Sequence, residues 1–169
     1  MTEAGLCNLA LLRVGQRQTI AALTRSNRLV PAGSLDVGHG QFDWTLRQDP
    51  RVVVMEHFNA RHLAPADLPG PVDIVVIDVS FISLRHIFPV IPPLLLPGAD
   101  VIALVKPQFE AGRDEVRKGI IRDEAVHARV LAEVSAAATE LGLARVAATP
   151  SPITGQKGNV EFLLHLRRS

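Results

Sequence analysis

The chain reads as an α/β protein with a mostly parallel sheet. Three features predict it: short apolar, β-branched runs recur along the sequence, helical patterns fall between them, and Gly- or Pro-bearing turns separate the two. Within residues 1–34 the layout offers a strand over 9–14, a short helix over 19–25 and a lead into a further strand over 28–35. Residues 51–55 form a compact β-branched run, read as a buried strand, and 73–78 form another. Residues 81–95 are a helical stretch broken by Pro89, Pro92 and Pro93. The Pro97-Gly98 turn leads into a strand over 101–105. The clearest helix covers 123–141: Asp123 is a suitable cap, Val126, Val130, Leu131, Val134 and Ala138 recur at helical spacing, and Gly142 ends it. Strands over 144–148 and 160–166 complete the order, joined by the loop Pro150-Ser151-Pro152-Ile153-Thr154-Gly155.

Composition narrows the function classes. The 169 residues suffice for one domain with a full core, and 47% hydrophobic with 21% charged residues is ordinary for a water-soluble fold. A net charge of +1 announces no polyanion partner for the chain as a whole. The single cysteine, Cys7, excludes an internal disulfide and a cysteine-based zinc cluster, and fits a reducing cytoplasm. The six histidines show no metal-ligand spacing, so no metal is expected. The longest apolar stretch, Ile87 to Leu96, is too short and too proline-rich to span a bilayer, so no membrane partner is expected. The first residues, Met1-Thr2-Glu3, lack the positive start of a signal peptide.

The chemistry gathers at three strand ends. Val76-Ile77-Asp78-Val79-Ser80-Phe81-Ile82-Ser83-Leu84 leaves Asp78 at the end of one apolar run. Val105-Lys106-Pro107-Gln108-Phe109-Glu110-Ala111-Gly112 leaves Lys106 at the end of another, and Gly158-Asn159-Val160-Glu161-Phe162-Leu163 sets Glu161 in a third. Ligands of open α/β sheets collect at such ends. An acid, an amine and a second acid can steer a proton off a hydroxyl while a methyl group arrives. Taken singly, each of the three has a plain alternative, a solvated or salt-bridged strand end.

These motifs, together with Ser151-Pro152-Ile153 before Gly155 and with Leu35-Asp36-Val37-Gly38, Gln41 and residues 46–52, resemble in their order the TlyA-type ribosomal RNA methyltransferases, often labelled haemolysin A. Glu56-His57-Phe58-Asn59-Ala60-Arg61 resembles the family's third strand end. The resemblance runs from about Leu35 to Arg168. It implies a Rossmann-like, S-adenosylmethionine-dependent methyltransferase sandwich of FtsJ type with its last strand antiparallel. It also implies methylation of a ribose 2′-hydroxyl, at a cytidine, in the RNA of a ribosome or ribosomal subunit. Of the family's Lys-Asp-Lys-Glu set it carries over Asp78, Lys106 and Glu161 as catalytic residues. Lys106 is then the proton acceptor, Asp78 its orienting partner and a contact to the cofactor, and Glu161 the group that orients the ribose or the lysine.

Further expectations follow. Asp36, at the end of the resembled second strand, suits the ribose hydroxyls of the cofactor, against the plain alternative of a turn-forming Asp before Gly38. Asn59 is placed on the adenine side, with Arg61 beside it better read as a solvated loop residue. Pro107-Gln108-Phe109 is expected to contact RNA, Phe109 by stacking on a base, the alternative being that Phe109 packs under its loop. Arg113, Arg117, Lys118 and Arg122 follow the Lys106 strand and could hold phosphates; the alternative is a solvated face.

The departures from the family are equally specific. The S4 RNA-binding domain, the Gly-rich first motif and the first catalytic lysine are missing, and residues 1–34 do not resemble the family. The expected organisation is therefore an atypical segment over 1–34, standing where the first strand and helix belong, and an FtsJ-like domain over 35–169. In this reading the turn Gly15-Gln16-Arg17-Gln18 replaces the glycine-rich cradle, and cofactor binding and activity are impaired. Two other classes stand beside the enzyme: a catalytically inactive fragment or RNA-binding module, and a membrane-active haemolysin, which no basic amphipathic helix supports.

Overall fold

The computed structural model describes residues 59–169 throughout, the backbone of Thr19–Leu23 and Leu29–Ala32, and the single positions Gln48 and Met55. The strands expected over 9–14 and 51–55, the turn at Gly15-Gln16-Arg17-Gln18 and the motif around Asp36 lie outside the described residues, Met55 excepted.

Among the described residues six strands form one sheet: β1 (Thr19–Leu23), β2 (Leu29–Ala32), β3 (Val72–Asp78), β4 (Leu95–Val105), β5 (Leu143–Pro150) and β6 (Phe162–Arg168), in the spatial order β2-β1-β3-β4-β6-β5. The central pair β3 and β4 is parallel, whereas β6 lies antiparallel between β4 and β5. The hairpin β1–β2 joins β3 with β1 antiparallel to it. Four strands, β2, β3, β4 and β5, therefore share one direction, and β1 and the last strand, β6, run against them.

The segment expected to hold a short helix over 19–25 is instead strand β1. Five residues carry too little periodicity to decide between the two states. Thr19 and Ile20 are β-branched, and pairing with both β2 and β3 satisfies the backbone on each side. The stretch over 81–95 is not one helix but three single turns of 3-10 helix, Leu84–His86, Phe88–Val90 and Pro92–Leu94. Pro89, Pro92 and Pro93 lack the N–H that an α-helical ladder needs, so each short turn starts afresh. The Pro97-Gly98 turn is real but sits inside β4: Val72 pairs with Leu95 and Ile74 with Asp100, and the extra β4 residues bulge out with Gly98 at φ 74°.

Two helices follow β4. Helix α1 (Pro107–Glu110) is one turn, and α2 (Glu124–Glu140) is the long helix foreseen in the sequence, capped by Asp123, whose side chain accepts from the Ala125 N–H. Gly142 at φ 79° makes the left-handed exit expected of it. Among the described residues the largest apolar cluster lies between the sheet and α2. Val101, Ala103 and Val105 alternate inward from β4, Leu164 and Leu166 from β6, and Val130, Val134 and Ala138 face them from α2. Leu84, Ile87, Phe88, Ile91 and Leu94 fill the same layer from the 3-10 segment.

At the edge where β4 begins, Asp100 faces its cross-strand partner Arg167 and the diagonal His165. Asp100 Oδ1 accepts from His165 Nε2 at 2.8 Å and from Arg167 Nε at 2.9 Å. Burial pushes the Asp100 carboxyl up, but the two hydrogen bonds and the neighbouring charges outweigh it and hold the group below the ordinary carboxylate value. Such a lowered pKa stabilises the fold above the unfolded value, and that contribution vanishes as pH falls through the folded one. Asp100→Asn is accordingly expected to cost at most about 1 kcal/mol near neutral pH, the scale of a solvent-screened pair. The gap to the unaltered protein, read by urea unfolding at several pH values, should close on the acid side of 3.8. A constant gap down to strong acid would exclude the pairing as its source.

Candidate functional site

Strand direction and register assemble the site. Parallel β3 and β4 end at the same edge of the sheet, so Asp78, the last residue of β3, lies beside Lys106, the first after β4. Antiparallel β6 begins at that edge: Val105 pairs with Phe162, which brings Glu161 alongside Lys106. Thr19 pairs with Asp78, so β1 also starts there. Pro107 ends the β4 ladder and confines Lys106 to extended backbone, φ −112° and ψ 96°, which fixes the departure of its side chain.

The ammonium of Lys106 lies 2.6 Å from Asp78 Oδ1, with side chains only 11% and 15% exposed. Lys106 Nζ also donates to Ser80 Oγ at 2.9 Å. Glu161 is buried and accepts from Gln108 Nε2 at 3.3 Å. Burial pushes the Glu161 carboxyl above the ordinary range; the Lys106 charge and the Gln108 hydrogen bond offset this only in part, and the Asp78 charge adds to it. Behind the carboxylate stands Gly155, where an added Cβ would come within 2.0 Å of Glu161 Oε1. The buried Gln108 Oε1 has no hydrogen-bond partner among the described residues. The three groups singled out in the sequence are thus brought to one edge, two of them in direct contact.

Glu110 of the same motif plays another part. Its buried carboxylate accepts from Ser83 Oγ at 2.6 Å and from the Leu84 N–H at 2.7 Å, while Arg85 Nη2 donates to its carbonyl at 3.0 Å. Burial raises the Glu110 carboxyl, with those hydrogen bonds and the charges of Arg85 and His86 opposing. The Asp78 motif and the Lys106 motif are therefore stitched together behind the site. Phe81, at φ 62° and 82% exposed, stands out from the first motif with its ring 4.9 Å from that of half-buried Phe109.

The basic residues Arg113, Arg117, Lys118 and Arg122 are all exposed. Arg117 and Ile120 exchange both backbone hydrogen bonds across a two-residue turn in which Lys118 and Gly119 have φ of 53° and 80°. Asn59 caps the turn Ala60–His62, its Oδ1 accepting from the Arg61 N–H at 3.1 Å. Arg61 is exposed, as a solvated loop residue would be. No group of three or more His, Cys, Asp or Glu that could hold a metal ion occurs among the described residues. None of their helices is long and apolar enough to cross a membrane.

The comparison with known sequences decides the family: residues 19–168 match the FtsJ-like methyltransferases. The chain belongs to that family. This FtsJ-like domain is 55% identical over 135 residues to YqxC of Bacillus subtilis, covering 79% of this chain and 48% of that protein. It is 47% identical over 133 residues to the 16S/23S rRNA (cytidine-2′-O)-methyltransferase TlyA of Mycobacterium tuberculosis, covering 78% of this chain and 50% of that one. A solved structure of a haemolysin-named protein from Lactococcus lactis matches with a TM-score of 0.76 at 50% identity, over 79% of this domain and 65% of that chain. The chain spans about half the length of the curated relatives it matches. The FtsJ-like fold and the kinship with rRNA methyltransferases foreseen in the sequence are borne out, including the antiparallel last strand.

Sequence reasoning passed over Ser80, Gly155 and Asn159 as individual residues, although each lies inside or beside a quoted motif. The signal that could have found them is polarity or lack of a side chain in a stretch otherwise bound for the core. Lys118 offers a direct test of strain. A type I′ turn prefers Asn-Gly, and a left-handed lysine costs roughly 1–2 kcal/mol. Lys118→Asn is therefore expected to raise stability by about 0.5–1 kcal/mol in urea unfolding, the usual return from relieving a local strain. A destabilised Lys118→Asn would show that the lysine side chain, through its contacts, holds the turn.

Proposed function

We propose that this FtsJ-like domain is built to take the methyl group of S-adenosylmethionine to a ribose 2′-hydroxyl of ribosomal RNA, at a cytidine. One observation supports this above others: Lys106 lies 2.6 Å from Asp78, with Glu161 registered beside it, at one sheet edge of an FtsJ-like chain. One lysine against two carboxylates leaves negative charge in excess, which suits a cationic ligand. Asp78, Asn59 and, outside the described residues, Asp36 are the groups that would hold the cofactor. When bound, S-adenosylmethionine supplies an electrophilic methyl on a positively charged sulfur.

The chain's own residues handle the proton. A ribose hydroxyl is a poor nucleophile until its proton is drawn off as the new bond forms. Lys106, fixed as an ammonium by Asp78 and Ser80, donates to the hydroxyl oxygen and orients it, and the proton released as the methyl arrives passes to Glu161. Glu161, made a better proton acceptor than an ordinary carboxylate by burial, closes the set on the ribose side. Gln108 Oε1, a buried acceptor that costs about 1–3 kcal/mol if left unpaired, is available to a donor of the incoming nucleotide. Exposed Phe81 with Phe109 offers an aromatic surface for an unstacked base. Arg113, Arg117, Lys118 and Arg122 are suited to phosphates. A second reading, an RNA-binding module without transfer, is favoured by that exposed basic hairpin alone, and cofactor titration separates the two.

In an intact relative that carries this catalytic block, alanine in place of the lysine matching Lys106 is expected to abolish transfer to rRNA while leaving cofactor affinity largely intact by calorimetry; undiminished transfer would exclude the role assigned to Lys106. Transfer should also fall on the acid side as Glu161 takes up a proton, at a pH above that of an ordinary glutamate. Glu161→Gln should remove that acid limb and slow the plateau by about 10²- to 10⁴-fold, the range of general acid–base contributions. An acid limb that persists unchanged in Glu161→Gln would assign it elsewhere. The chain is expected to bind S-adenosylmethionine weakly, because residues 1–34 carry no counterpart of the family's Gly-rich motif. Calorimetric affinity tighter than about 10 μM, near −7 kcal/mol, would contradict this.

A further inference from the structure

We propose that Asn159 is a positioning residue that transmits phosphate contact at the Arg117–Ile120 hairpin to the carboxylate of Glu161. The inference rests on the reading that this basic hairpin meets RNA, and goes beyond it by naming what the contact does to the site.

Asn159 is 3% exposed and uses its whole side chain to join two loops. Its Oδ1 accepts from the Ile121 N–H at 3.2 Å, and its Nδ2 donates to Gly119 O at 2.9 Å and to Gln156 O at 3.0 Å. The Ile121 peptide is held from its other side as well, with His127 Nε2 lying 3.2 Å from Ile121 O. A second strap runs outside: exposed Lys157 donates from Nζ to Lys118 O at 3.1 Å, and the same ammonium is 3.2 Å from where a Cβ on Gly119 would stand. The hairpin is thus fixed to the turn Gln156–Gly158 by a buried amide and an exposed lysine.

That turn is also the seat of Glu161. The Gly155 N–H donates to Asn159 O at 2.9 Å, and the bare Cα of Gly155 lies against the Glu161 carboxylate, where any Cβ would sit 2.0 Å from Oε1. Asn159 stands two residues before Glu161 in the chain, so displacement of the hairpin is carried by short, buried links to the surface on which the carboxylate rests. Both turns hold a lysine in left-handed backbone followed by a glycine, Lys118-Gly119 with φ 53° and 80° and Lys157-Gly158 with φ 59° and 78°. Lysine is strained there, and strain kept at two facing loops is a mark of function rather than of folding. The two turns meet where Lys157 Nζ reaches the Lys118 carbonyl, so an anion that draws on one turn displaces the other.

The test uses the chain with ¹³C-labelled glutamate, the Glu161 carboxyl carbon being identified by its loss in Glu161→Gln. A short single-stranded RNA is titrated in at fixed pH, and the backbone amides of Arg117 and Lys118 are followed alongside. The expected result is that RNA moves the hairpin amides and the Glu161 carboxyl signal together. In Asn159→Ala the amides should still move, while the Glu161 shift is lost. Hairpin movement with a silent Glu161 in the unaltered chain, or a full-size Glu161 shift in Asn159→Ala, overturns the coupling and leaves the RNA reading standing. No movement at either place overturns the RNA reading and the coupling with it. Should Asn159→Ala lose its fold by circular dichroism, Lys157→Ala carries the test: a smaller Glu161 shift than in the unaltered chain supports the coupling, and an equal one overturns it.

Discussion

The antiparallel pairing of β6 on β4 ties the core and the site to one register. With Val105 opposite Phe162, Leu164 and Leu166 point into the core and Glu161 arrives beside Lys106. Side chains alternate along a strand, so a slip by one residue would turn His165 and Arg167 inward and lift both leucines into solvent. It would also separate Glu161 from the other two ionisable groups. Correct chemistry at the strand ends is therefore enforced by apolar burial in the strand middles. The Asp100–His165–Arg167 cluster pins the same register from the opposite edge.

Charge at the site is kept by geometry that would be costly to relax. Lys106 is nearly enclosed and meets a carboxylate and a hydroxyl; removing either leaves a desolvated cation short of a partner. Glu161 accepts a side-chain amide and rests on a glycine that no other residue could replace without moving it. Glu110 shows the contrasting use of a buried acid. Its two oxygens are occupied by Ser83 and Leu84, so it holds two motifs together and is not free for substrate.

Much of this was legible in the sequence because strand ends and helix caps leave local marks. Asp78 and Lys106 close apolar runs, Asp123 and Gly142 bracket the long helix, and the order of motifs pointed to the FtsJ-like family before any geometry was known. What stayed hidden depends on contacts distant in sequence. The strand at Thr19–Leu23 is set by pairing with residues more than fifty positions away, which five residues of local pattern could not reveal. The proline-rich segment after Phe81 showed its breaks but not that three separate turns would still bury Leu84, Ile87, Phe88, Ile91 and Leu94. Glu110, Gly155 and Asn159 matter through partners 26 or 27, 6 and 38 to 40 residues away or through the space they leave, and a single sequence does not print such distances.

The stitch made by Glu110 has a bearing on how a nucleic acid would be admitted. By joining Ser83 and Leu84 to helix α1 after Lys106, it makes the exposed Phe81 and its neighbour Phe109 parts of one lip. On the proposed function, a base that stacks on this rim leaves its neighbours in the strand, at an unstacking cost that differs from one RNA context to another. Selection among sites in a long RNA would then draw on how readily each strand deforms, as well as on what the protein touches.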